Sequence, residues 1–298
     1  MASLIFKDLL VQALNEDGSG LDWTSLGTLS AKKNAQGKAK IIAKSKGIWA
    51  GEMLCEATQS LASELGTPFT IKMLIKEGAR LLPGDVVCEW KGSLAGILAL
   101  ERPFLNLCGF SGGIAQKTRT LVDLIESKWK SYRLSSPAPR LTLTRKTLPY
   151  YRDLSVLAVM AGRGHAHRVS LSGGVLIKEN HIQASGSIKR AIDGVKKVAP
   201  HGLKIEIEVT QMDELKQALS AGADIIMLDN FTPEQVKVAI KIIEKTADKT
   251  IPRPWIEVSG GMNAENIQNF VMPGVDVISV GSLTHSVTAI DLSLLVQK

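Results

Sequence analysis

Six times after residue 140 a short apolar run gives way to a stretch with helical spacing. The runs cover residues 140–145, 174–178, 203–209, 224–229, 255–259 and 275–281. The helical stretches cover 151–161, 187–198, 212–221, 233–246, 264–271 and 284–296. Strands that alternate with helices across short turns pair in parallel, because each crossover returns the chain to the same end of the sheet. Six such units imply an α/β barrel of the TIM type, closed or short of closure, with an open doubly wound sheet as the alternative topology.

The first part of the chain has a different texture. Residues 3–15 carry apolar side chains at helical spacing, Ile5, Leu9, Leu10 and Leu14 among them. A second helical stretch, 51–65, sits among short apolar runs at 40–43, 48–49, 85–90 and 97–100, each punctuated by glycine. This pattern predicts an α+β unit with a small antiparallel sheet. A long helical segment, 105–127, follows. The expected organisation is an N-terminal domain over 1–115 and an α/β barrel over 116–298, with a C-terminal helix packing back on the first domain.

Composition narrows the function classes. An excess of 36 basic over 29 acidic residues gives a net charge of +7, which suits an anionic partner without naming it. Three isolated cysteines, Cys55, Cys88 and Cys108, form neither a disulfide framework nor a cysteine zinc site, so a reduced cytosol is the expected compartment. The N-terminus lacks the basic and apolar regions of a signal peptide. No run approaches the ~18 uninterrupted apolar residues of a membrane span, so no membrane partner is expected.

In a parallel barrel, chemistry gathers at the C-terminal ends of the strands. The first run ends in Arg145 and Lys146, and the second in Lys178. The third carries Glu206 and Glu208, and the fourth ends in Asp229. The fifth ends in Ser259-Gly260-Gly261 and the sixth in Gly281-Ser282. Side chains alternate along a strand, so Lys204, Glu206 and Glu208 share one face, while Ile205, Ile207 and Val209 share the other. The charged face is expected to look into the barrel, and a half-exposed edge strand is the plainer alternative. Glycines just before helix starts let the backbone approach a phosphate.

Residues 127–152 hold seven basic side chains and no acidic one. No aromatics are interleaved at regular spacing, so a pocket for a small polyanion fits better than a nucleic-acid stripe. His165 and His167 have no third ligand nearby in sequence to complete a metal site. His167 and Arg168 are instead expected to bind a carboxylate, for which arginine offers a bidentate fork.

These segments, in this order, resemble the quinolinate phosphoribosyltransferase family. The resemblance is carried by Glu101-Arg102-Pro103-Phe104-Leu105-Asn106, Ser111-Gly112-Gly113, Thr144-Arg145-Lys146-Thr147, His167-Arg168 and Leu176-Ile177-Lys178-Glu179-Asn180-His181. It continues through Glu206-Ile207-Glu208-Val209, Met227-Leu228-Asp229-Asn230, Ser259-Gly260-Gly261 and Gly281-Ser282-Leu283-Thr284-His285. The resemblance implies an N-terminal α/β sandwich, an incomplete barrel, and transfer of phosphoribosyl from phosphoribosyl pyrophosphate to quinolinate with loss of carbon dioxide. It also implies a magnesium cofactor and a homodimer, or a higher homo-oligomer, in which Arg102 reaches the neighbouring copy's site.

By the same resemblance, Thr144, Arg145, His167 and Arg168 bind substrate, and Lys146, Lys178, Glu208 and Asp229 are catalytic. Glu208 and Asp229 hold the ribose hydroxyls directly or through magnesium. Ser259, Gly260, Gly281 and His285 surround the 5′-phosphate. The chain departs from the family pattern at Leu143, Arg163, Ala166 and Gly173. Those departures leave open a paralogue with another acceptor, of the type linked to molybdenum uptake. A Schiff-base aldolase built on Lys178 is a further alternative.

Overall fold

A computed structural model describes residues 2–29, 35–246 and 252–297. Two compact units emerge: Met1–Arg119, Leu148–Arg163 and Ser286–Lys298 form the first, and Thr120–Thr147 with Gly164–His285 form the second. The expected boundary at 115–116 falls inside a helix, four residues before the first division, and two later segments return to the first unit.

In chain order the elements begin with helices α1 (Ala2–Glu16) and α2 (Trp23–Leu29). Strands β1 (Gln36–Ala43) and β2 (Gly47–Ile48), helix α3 (Glu52–Glu64), and strands β3 (Phe69–Met73), β4 (Arg80–Leu81) and β5 (Val86–Ser93) follow. Helix α4 (Leu94–Lys130) then runs 37 residues. Beyond it come β6 (Arg140–Thr142), α5 (Arg152–Ala161), β7 (Val175–Ile177), α6 (Glu179–Ser185), α7 (Ile188–Val198), β8 (Ile205–Val209) and α8 (Met212–Ser220). The chain ends with β9 (Ile225–Asp229), α9 (Pro233–Thr246), β10 (Trp255–Ser259), β11 (Val277–Ser279), α10 (Ser282–His285) and β12 (Leu292–Gln297).

The first unit is built on an antiparallel sheet in the order β12-β1-β5-β3. Along β1, Ala39, Ile41 and Ala43 are buried, while the residues between them are partly exposed, the period-two signature of a one-sided sheet. At the centre of the core lies Trp90 on β5, fully buried, stacked on Phe69 at 4.8 Å and edge-on to Phe104 of α4 at 4.9 Å. Aromatic pairs in these geometries add to what burial alone contributes. Helix α3 is capped from a distance: a Glu77 carboxylate oxygen accepts the backbone N–H groups of Gly51 and Glu52, each at 3.1 Å. Those donors are the ones a helix start leaves without partners.

Two sequence expectations fail in this unit. The apolar run 97–100 belongs to α4, since a short apolar run does not distinguish a strand from a buried helix. The expected C-terminal helix over 284–296 is helical only to His285, and Leu292–Gln297 instead pairs antiparallel with β1. Leu292 and Leu294 are buried and Leu295 is half exposed, so the alternation follows the sheet. The free edge of β1 thus decides between two patterns that the leucine-rich sequence allows.

The second unit carries a six-stranded sheet in the order β6-β11-β10-β9-β8-β7, with every pairing parallel. Strands β6 and β7 are its two ends, and this is the incomplete barrel the six repeats predicted. Beside β6 runs an extended segment: His165 bridges Thr142 in parallel, and its N–H donates to the Leu141 carbonyl at 2.8 Å. A device recurs at the strand starts. Asp224 accepts the N–H of Ile205 at 2.7 Å, and Asp276 accepts that of Ile256 at 2.7 Å. Each aspartate thereby holds the beginning of the neighbouring strand. The helix expected over 264–271 shrinks to a single 3-10 turn, Ile267–Asn269, while the short α6 was not foreseen.

Trp90→Ala is expected to destabilise the protein by about 3–5 kcal/mol, the range for truncating a core aromatic. Urea denaturation measures it, and a loss below about 1 kcal/mol would place the core of the first unit elsewhere.

Candidate active site

Strand alternation and the turns after each strand bring the predicted side chains together in the second unit. A cleft of about 350 Å³ is lined by Thr144, Arg145 and Lys146 after β6, His167 and Arg168 from the extended segment, and Lys178 after β7. Glu208 of β8, Asp229 of β9, and Glu257 and Ser259 of β10 complete its polar wall. Leu176 and Met227, both largely buried, add an apolar surface. A concave site so densely lined with charge suits a small, highly charged ligand. A cavity of about 530 Å³ in the first unit, lined by Glu52, Glu77 and Arg119 among others, is larger but gathers none of the strand-end residues.

Local bonds fix the walls. The Lys146 N–H donates to Thr144 Oγ1 at 3.2 Å, and the Thr284 hydroxyl donates to the Lys146 carbonyl at 2.8 Å, so α10 braces the turn after β6. The Lys178 N–H donates to His181 Nδ1 at 2.9 Å, which sets the start of α6. Lys178 Nζ forms an ion pair with Glu208. After β9, Asn230 takes a left-handed backbone (φ 58°), and its side-chain amide donates to Asp229 at 2.8 Å.

Gly260 has φ +99°, and a Cβ there would lie 2.2 Å from Asn230 Oδ1 and 2.8 Å from the Asn230 nitrogen. Glycine is required at this position by conformation and by space together. A Cβ on Gly281 would meet Lys146 Cδ at 3.0 Å, Thr144 Oγ1 at 3.3 Å and His285 Nε2 at 3.5 Å, so Thr144, Lys146, Gly281 and His285 form one cluster.

The site's charge is dominated by Arg145, Lys146, Arg168 and Lys178, set against Glu208 and Asp229. Burial raises the Asp229 carboxyl above the usual aspartate value; the Glu208 charge adds to this, and Lys178 and Lys146 oppose it. Deeper in, His167 Nε2 lies 3.1 Å from Glu206 and 3.4 Å from Glu257, two carboxylates almost entirely buried. Burial disfavours the charged imidazole, but hydrogen bonds and charge from the two glutamates outweigh it and push His167 up to about 10.

Most of the predicted site residues therefore converge. Gly260, Gly281 and His285 do not line the cleft, though Gly281 and His285 adjoin Thr144 and Lys146 and Gly260 adjoins Asn230, and Arg102 stands exposed on α4 in the first unit. β8 lies between β7 and β9, so the edge-strand alternative for it falls. The sequence reading missed Glu257, although the alternation that singled out Glu206 and Glu208 applies equally to Glu257 and Ser259. It also missed that His167 has two acidic partners, because they come from strands far away in sequence.

A family model described as quinolinate phosphoribosyl transferase, C-terminal domain, matches residues 114–295, and its N-terminal counterpart matches residues 22–111. The chain is 45% identical over 208 residues to a probable nicotinate-nucleotide pyrophosphorylase (carboxylating) of Methanocaldococcus jannaschii, covering 70% of this chain and 71% of that one. It is 36% identical to the Bacillus subtilis protein of the same name over 99% of this chain and 94% of the other. The solved nicotinate-nucleotide pyrophosphorylase of Francisella tularensis superposes with a TM-score of 0.84 at 33% identity, covering 99% of this chain and 97% of that one.

Gly260→Ala is expected to lower the melting temperature and to displace the Asn230 side chain from Asp229, since a left-handed residue with a Cβ costs about 1–2 kcal/mol before any clash is counted. Thermal denaturation and a crystal structure of the variant check this, and an unchanged Asn230–Asp229 contact would contradict it.

Proposed function

The chain belongs to the quinolinate phosphoribosyltransferase family, and from that premise we propose how its cleft performs the reaction. The activity is that of a carboxylating nicotinate-nucleotide pyrophosphorylase in NAD biosynthesis, a phosphoribosyltransferase. Quinolinate and phosphoribosyl pyrophosphate give nicotinate mononucleotide, pyrophosphate and carbon dioxide. The observation that carries the reading is the convergence of Arg145, Lys146, Arg168 and Lys178 with Glu208, Asp229 and Glu257 on one small cleft that also holds Leu176 and Met227.

The two carboxylates of quinolinate lie against Arg145, His167 and Arg168, and its ring lies against Leu176 and Met227. The 5′-phosphate sits among Ser259, Gly260, Gly281 and His285, where glycine backbone permits close approach. Lys146 and Lys178 neutralise the pyrophosphate as it leaves. Glu208 and Asp229 stabilise the positive charge that develops on the ribose when the pyridine nitrogen attacks the anomeric carbon. Holding both substrates in line supplies much of the rate. The bond to the 2-carboxylate then breaks, its electrons pass to ring carbon 2 beside the cationic nitrogen, and that carbon takes up a proton.

Magnesium suits the hard oxygen donors of Glu208 and Asp229, whose mutual repulsion contributes to the raised Asp229 carboxyl. Bound there, directly or through the ribose hydroxyls, it would offset the charge of the pyrophosphate. The enzyme works in the cytoplasm as a homodimer or higher homo-oligomer, in which Arg102 of one copy completes the site of another. The exposure of Arg102 on α4 supports that reading. Of the departures from the family pattern, Leu143 is buried, and none of Leu143, Arg163, Ala166 and Gly173 lines the cleft. This favours quinolinate over another acceptor. The aldolase alternative falls with the family to which the chain belongs.

Glu208→Ala and Lys146→Ala should each cut turnover of quinolinate by about 100-fold or more, the scale of losing one electrostatic contact to a transition state, with melting temperature preserved. Unchanged kinetics in both variants would refute the assignment. Chelation with EDTA should abolish product formation and added magnesium should restore it; full turnover in EDTA would remove the metal from the account.

A further inference from the structure

The reaction as described uses His167 but gives no role to the two acids behind it. Glu206 on β8 and Glu257 on β10 are among the few buried charged residues, 3% and 2% exposed. One oxygen of each faces His167 Nε2, and the other oxygen of each has no hydrogen-bond partner among the described residues. Each acid lies two residues before a cleft residue of its own strand, Glu208 or Ser259, and so points to the same side one layer deeper. Two buried carboxylates against one ring are costly unless that ring carries positive charge. Neutral imidazole has a single N–H and no net charge to offer. With Nε2–H committed to the glutamates, Nδ1–H is the donor left for a ligand in the cleft.

We propose that Glu206 and Glu257 are positioning residues that hold His167 as an imidazolium, with Nε2 turned inward and Nδ1–H presented to a carboxylate of the pyridine substrate. The inference rests on the reading of the cleft as the quinolinate site, and it deepens that reading. A neutral histidine would switch its charge within the physiological range; this one keeps a fixed charge, as the arginines beside it do. The groups around it are consistent with that. Arg168 adjoins it and is linked electrostatically to Glu206 and Arg145. Lys178, Glu208 and Asp229 line the cleft above it. Below, His165 lies near Arg140, whose charge together with burial lowers the His165 value. The imidazole lies within bonding distance of both acids.

The sign follows from the direction of the His167 shift. Its charge persists until pH rises through about 10, whereas the contribution of this cluster to stability is fully present below the ordinary histidine value near 6.5 and is lost progressively between there and about 10. The first measurement needs no substrate: the ring nitrogens of His167 are followed by 15N NMR from pH 6 to 9 in the wild-type protein. They should stay doubly protonated throughout. In Glu206→Gln and Glu257→Gln, alone and combined, His167 should titrate closer to 6.5. The KM for quinolinate should then rise about tenfold or more between pH 6.5 and 8.5, up to tenfold for each pH unit of lost protonation. In the same variants kcat and the KM for phosphoribosyl pyrophosphate should change little.

Titration of His167 near 6.5 in the wild type would overturn the proposal. So would stoichiometric capture of zinc or manganese by the wild-type cluster with loss of the imidazolium signal, which would make the trio a metal site. Because the NMR result is obtained without quinolinate, failure of the substrate assignment would appear separately, as an intact imidazolium with a pH-independent KM in every variant.

Discussion

Charge placed inside a parallel sheet must be answered by another strand, and this requirement organises the catalytic unit. A lone buried carboxylate or ammonium is costly, and removing one partner of a buried pair strands the other. The interior of the incomplete barrel is accordingly paired in layers. Deepest lie Glu206 and Glu257 around His167, and nearer the mouth Lys178 pairs with Glu208. Every pair joins elements distant in sequence, so the charges form only when the sheet has formed in register. The outer faces of the same strands contribute Ile205, Ile207, Val209, Ile226, Leu228, Ile256 and Val258, all buried. Period-two alternation thus serves stability on one side and chemistry on the other.

The turns after the strands make the second half of the site. They spend little hydrophobic burial and depend on backbone geometry: the left-handed Asn230, the positive φ of Gly260 and the brace from Thr284 to the Lys146 carbonyl. Such turns place a carboxylate and a lysine within one small cleft. A glycine here is fixed by an oxygen 2.2 Å from where its Cβ would stand, which is a different constraint from that of a glycine in an exposed turn.

Much of this was legible in the sequence because it follows from local periodicity. All six parallel strands, and the strand ends that carry Arg145, Lys178, Glu208 and Asp229, could be read from apolar runs and alternation. What escaped depends on distant partners. The C-terminal segment reads as helix or strand equally well until β1 offers it an edge. Residues 97–100 are apolar in a manner that suits either state, and the long α4 claims them. Glu257 looked like part of an ordinary strand, because its significance comes from His167, which lies ninety residues earlier on an irregular segment. The two compact units interleave along the chain, a property of contacts and not of composition.

As proposed above, this cleft recognises a pyridine dicarboxylate that loses one of its carboxyl groups during phosphoribosyl transfer. The most direct measurement supplies quinolinate labelled with 13C in its 2-carboxylate, phosphoribosyl pyrophosphate and magnesium, and counts labelled carbon dioxide against nicotinate mononucleotide, with nicotinate in a parallel reaction. The account predicts one carbon dioxide per nucleotide from quinolinate and no nucleotide from nicotinate. Nucleotide formed from nicotinate at a comparable rate, or none from quinolinate by the folded protein, would contradict it.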